Sequence, residues 1–91
     1  MSIGLAISRI AQWTALMLNE GDAMAHYEGV KLSLAGKNDA ASRKALADAE
    51  KKLQTAKTKH AMARDAIEMW KDVLRSWLAL GKLFNELLRP G

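Results

Sequence analysis

Cysteine is absent from this 91-residue chain, so no disulfide can staple it and no thiolate can hold a metal; a reducing cytosol is the expected compartment. Proline occurs once, at position 90, and no glycine lies between Asp39 and Leu80, so nothing in that stretch interrupts a helix. The β-branched and aromatic residues that strands favour are scarce, while Ala, Leu, Lys, Met and Glu dominate. Long apolar runs are missing too. The longest uncharged one, Ile10 to Asn19, is about half of what a bilayer span requires, and Arg9 interrupts the apolar N-terminal stretch, which lacks the positive region expected before a cleaved signal sequence.

Chemistry-bearing motifs are equally thin. The glycines are scattered as Gly4, Gly21, Gly29, Gly36, Gly81 and Gly91 and form no phosphate-cradling loop. No Ser-His-Asp set or pair of carboxylates can be placed together, and a helical hairpin offers little concave surface for a substrate, so no catalytic residue is assigned and no enzyme is expected. Neither a metal site nor a cofactor site is identified. His26 and His60 are the two histidines, and neither is followed by the lysine and glycine of a phosphotransfer helix.

What is present is a packing pattern. Hydrophobic residues make up 49% of the chain and charged ones 26%, a balance that suits one folded domain over residues 1–91. Ile3, Ile10, Trp13, Met17, Met24, Tyr27 and Leu34 recur by threes and fours, so the spacing predicts a helical arm over about 3–35. Asn19-Glu20-Gly21-Asp22 offers a break in it, through a left-handed Gly21 and an Asp22 cap, and equally allows a continuous helix at a cost of about 1 kcal/mol. Ala35-Gly36-Lys37-Asn38-Asp39 is the clear turn, with Gly36 suited to positive φ and Asn38 or Asp39 placed to cap the next helix. A long helix over about 39–88, roughly 75 Å at 1.5 Å per residue, completes the expectation.

Within that helix a coiled-coil-like seam runs for about six heptads. One set of positions is Leu46, Leu53, His60, Ile67, Leu74, Gly81 and Leu88; the other is Ala49, Ala56, Ala63, Trp70, Trp77 and Phe84. The second set changes from alanine to aromatic after Ala63, so a neighbour can approach closely in the first half and is held off in the second. Met62, Ala66, Met69, Val73, Leu80, Leu83 and Leu87 form a further stripe beside the seam, making the C-terminal turns apolar over more than half their circumference. The expected fold class is all-α: an antiparallel helical hairpin with one long C-terminal helix, completing a helical bundle by self-association.

Folding back about Lys37 places residue 34 near 40 and residue 3 near 71, so the first arm ends before the second. Trp70, Leu74, Trp77, Leu80, Leu83, Phe84, Leu87 and Leu88 become the expected protein interface, covered by a second copy, by a larger protein assembly, or by the helix's own tail after a break near Gly81. The same register puts His26 opposite about residue 48, roughly 18 Å along the axis from His60, too far for a shared metal.

The basic residues Arg43, Lys44, Lys51, Lys52, Lys57, Lys59 and Arg64 share their span with only Asp48 and Glu50, while Glu20, Asp22 and Glu28 are expected across the hairpin. Lys51, Lys52, Lys57, Lys59 and Arg64 are the candidate contacts to an anionic partner such as nucleic acid. A net charge of +4 is modest for that role, and no helix-turn-helix, RNA-recognition or zinc-finger pattern accompanies it. A membrane-surface helix over Ile67–Leu88 ranks third, since Glu68, Asp72 and Glu86 would be repelled by anionic lipid. The expected function is a non-enzymatic protein-interaction module: a small adaptor, chaperone, regulator or inhibitor. In architecture alone the chain resembles helical-hairpin interaction proteins such as secretion chaperones, small regulators and phage-encoded inhibitors.

Overall fold

The computed structural model describes residues 3–89 and consists of two helices, α1 (Ile3–Leu34) and α2 (Ala40–Leu88), packed along each other as a hairpin. The turn forms as its residues dictate. Gly36 adopts φ 79°, a left-handed conformation that glycine enters without steric cost, and the amide of Lys37 donates to the carbonyl of Leu34 at 3.2 Å to close α1. Asp39 caps α2 from an extended conformation, its carboxylate accepting the Ser42 amide at 3.0 Å; hydrogen bonding from the Ser42 side chain first, and from that amide second, holds the Asp39 pKa below the usual aspartate value. At the far end Arg89 is extended, as the residue before a proline is required to be, and α2 stops.

None of the four glycines within the helices, Gly4, Gly21, Gly29 and Gly81, breaks them. α1 runs unbroken through Gly21 and α2 through Gly81, which corrects the break allowed at Gly21 and removes the option of a tail folded back at Gly81. One missing methyl costs a helix about 1 kcal/mol, and the hydrogen-bonded turns on either side outweigh it. A β-carbon built on Gly21 meets only the Cδ2 of His60 at 3.9 Å, ordinary van der Waals distance. Gly21→Ala is therefore expected to raise unfolding stability by about 0.5 to 1 kcal/mol, read as a higher urea midpoint. An unchanged or lower midpoint would show that the helix needs glycine there.

The seam packs as its periodicity predicts, but the register differs. Gly21 faces His60, and Glu28 pairs with Lys57 at 3.9 Å, so α1 is displaced by about one heptad from a fold centred on Lys37 and its first residue comes level with Trp77 rather than residue 71. A slide of seven residues leaves every seam position facing inward, so the choice lies in how the layers match. At this register the half-buried Glu20 shares a level with the half-buried His60, where the turn-centred one would set it against Leu53. Bulk alternates as well: Met24 and Met17 come level with Ala56 and Ala63, and Leu74 with Ala6. Small-against-large matching leaves Ala6 and Ala63 without accessible surface, and Ala49, Leu53, Ala56 and Ile67 nearly so.

The result is a rod of 80 × 17 × 13 Å. Its radius of gyration is 21.5 Å, whereas a compact domain of this length has about 12 Å. Only one layer of side chains lies between the helices, and no polar or charged residue is buried among the described residues.

Candidate protein interface

The same register fixes what α1 can cover. Trp70 and Leu74 lie within its reach and are half-buried; from Trp77 onward every described residue of α2 is exposed. Of the eight residues expected to form an interface, two are thus largely sheltered inside the hairpin, and the other six stand open. Phe84 is 55% exposed and Leu87 71%. The uncovered turns extend for roughly 16 Å beyond α1 at the helical rise. Isolated surface leucines are ordinary, whereas a continuous apolar end is not.

Area gives the scale. The accessible surface is 6750 Å², whereas a compact protein of this mass exposes roughly 5200 Å². That surplus follows from the elongated shape and is spread along the whole rod.

Beside the end of α1, the outer face of α2 carries a shallow depression of about 420 Å³ lined by Met69, Asp72, Val73, Ser76, Trp77 and Leu80. The exposed stripe expected from the sequence runs through it, with Met62 and Met69 on one side and Leu83 and Leu87 on the other. Ser76 was not among the residues singled out by pattern, and Asp72 was named only as an acid of the polar face. The signal for Ser76 was present, since it fills the one vacant three-four position between Val73 and Leu80. Asp72 pairs with Arg75 one turn on, which turns both charges along the helix surface.

The basic face is partly neutralised within the chain. Lys52 is bonded to Asp48 at 3.0 Å, which raises the Lys52 pKa, and Arg64 lies 3.7 Å from Asp65. With the Glu28–Lys57 pair, three of the five candidate anion contacts have acidic neighbours. Glu20 lines the groove between the helices together with Lys52 and Lys59. Of the three acids expected across the hairpin, Glu28 alone forms an ion pair with α2 among the described residues.

The shifted register also brings His26 to roughly 9 Å from His60 along the axis, about half the expected separation. His26 sets its ring edge-on to Tyr27, with centroids 5.1 Å apart. Among the described residues no group of three or more His, Asp or Glu side chains converges as metal ligands would. No helix there is long and apolar enough to cross a membrane. No family model, curated protein or solved structure matches this chain.

Proposed function

We propose that this chain is a non-catalytic protein-interaction module, an adaptor, chaperone, regulator or inhibitor, that binds a copy of itself or a larger assembly through the C-terminal part of α2. The supporting observation is the set of exposed apolar side chains between Trp77 and Leu88, in turns that α1 does not reach. Burial is worth roughly 25 cal/mol per Å², so each several hundred Å² covered contributes on the order of 10 kcal/mol before the costs of association. Trp77 and Phe84 are the natural anchors, because aromatic side chains carry the most area per residue fixed.

Affinity capture from the native host tests this, with the wild-type chain beside Trp77→Ala and Phe84→Glu variants. The wild type should retain a partner, and both variants should lose it while their circular dichroism stays helical. Retention by both variants would refute the reading. Charge reversal of Lys51, Lys52 and Lys59 separates it from a role on nucleic acid. Assembly should survive that change, whereas a phosphate-binding protein would lose affinity and flatten its salt dependence.

A further inference from the structure

We infer that the outer face of α2 between Lys44 and Lys59 is a second binding surface, and that it seats the phosphate backbone of a double-stranded nucleic acid. This goes beyond the interaction reading given above and is independent of it, since the face ends before Met62, where the exposed apolar stripe begins. The observation that carries it is which cations stay unpaired. Lys52, Lys57 and Arg64 are held by Asp48, Glu28 and Asp65, whereas Lys44, Lys51 and Lys59 form no ion pair among the described residues.

These three share one side of the helix. At about 100° per residue they fall within roughly 80° of one another, Lys44 and Lys51 opposite the Ala49, Leu53 and Ala56 seam and Lys59 flanking them. A shallow depression of about 520 Å³ there is lined by Lys51, Gln54, Thr55, Thr58 and Lys59, with no acid in its wall. The Thr55 and Thr58 hydroxyls donate to the carbonyls of Lys51 and Gln54 at 3.2 and 3.0 Å, so the two ammonium groups and the Gln54 amide supply the free donors. Of the neighbouring acids, Asp48 is bonded to Lys52, Glu50 lies about 100° round the helix from Lys51, and Glu20 lines the adjoining groove beside Lys59 without pairing with it.

What this section lacks selects the partner. No large hydrophobic side chain is exposed between Leu32 and Met62. A protein interface is built round aromatic and aliphatic anchors and is depleted of lysine at its centre. A membrane-surface helix needs apolar side chains to bury among acyl chains, and a single strand is held by stacking on exposed aromatics. Contacts to a duplex backbone need none of these, since lysine, arginine, threonine and glutamine make them. The three lysines are fixed along roughly 22 Å of one helix axis, so a stiff duplex meets them without either partner having to be ordered.

Fluorescence anisotropy of a labelled DNA duplex of about 20 base pairs tests this, with salt raised from about 50 to about 200 mM. Three phosphate contacts predict a slope of roughly −3 in log affinity against log salt, a weakening of about 40-fold over that range. Lys44→Gln, Lys51→Gln and Lys59→Gln together should weaken binding by more than about tenfold at the lower salt and flatten the slope, with helical content unchanged because glutamine and lysine have similar helix propensity. A charge-matched variant carrying Arg9→Gln, Lys82→Gln and Arg89→Gln should bind within about threefold of wild type, and so should Trp77→Ala. A wild type that does not bind, or an equal loss in the two triple variants, overturns the inference. Poly-glutamate that displaces the labelled duplex as well, charge for charge, as unlabelled duplex does also overturns it and assigns the face to an acidic protein. Trp77 lies off this face, so capture of a partner through it succeeds or fails separately.

Discussion

Leu53→Ala should lower the unfolding free energy by about 2 to 4 kcal/mol, the usual range for truncating a buried leucine. Leu53 retains 3% of its accessible surface and, with Ile67, supplies the buried core larger than alanine among the described residues. Both helices touch the space it fills, since it lies level with Tyr27, and a two-helix rod has no third element that can move in to close a cavity. The loss is read as a lower urea midpoint with an unchanged slope. A midpoint that does not move with protein concentration separates this loss from any change in association. A loss below about 1 kcal/mol would mean that the helices are held by something other than this seam.

Ala63→Leu should destabilise by about 1 to 3 kcal/mol even though it adds apolar surface. Ala63 has no accessible surface and lies level with Met17 in the alanine half of the seam. Leucine and alanine have similar helix propensity, so the loss comes from forcing the helices apart. The same substitution at Ala47, which is exposed on α2, serves as the control and should shift stability by less than about 0.5 kcal/mol. Equal effects at the two positions would show that the alanine half of the seam is not tightly packed. The two variants thus probe opposite faults, a void and an excess, in one layer of side chains.

Some of this was legible from local pattern because the responsible forces act over a few residues. The three-four spacing of Leu46, Ala49, Leu53, Ala56 and Ala63 assigned the buried face of α2 before any partner helix was placed. Gly36 and Asp39 marked the turn for reasons of backbone geometry and capping that hold in any context. The uncovered apolar end of α2 was legible in outline only. Trp70 and Leu74 carry the same apolar signature as Trp77 and Phe84, and nothing in their spacing says which pair α1 covers.

The amino-acid sequence by itself determined the helical state, the reversal at Gly36 to Asp39 and the faces that turn inward, since each depends on neighbours within about one turn. Tertiary packing decided three further points. The heptad slide that sets Glu20 against His60 was invisible to periodicity, because a shift of seven residues leaves all faces in phase. Continuity through Gly21 and Gly81 depends on an energy of about 1 kcal/mol per glycine, which the surrounding turns override. The extent of bare apolar helix beyond α1 follows from the slide alone, because each residue of displacement carries the end of α1 about 1.5 Å farther along α2.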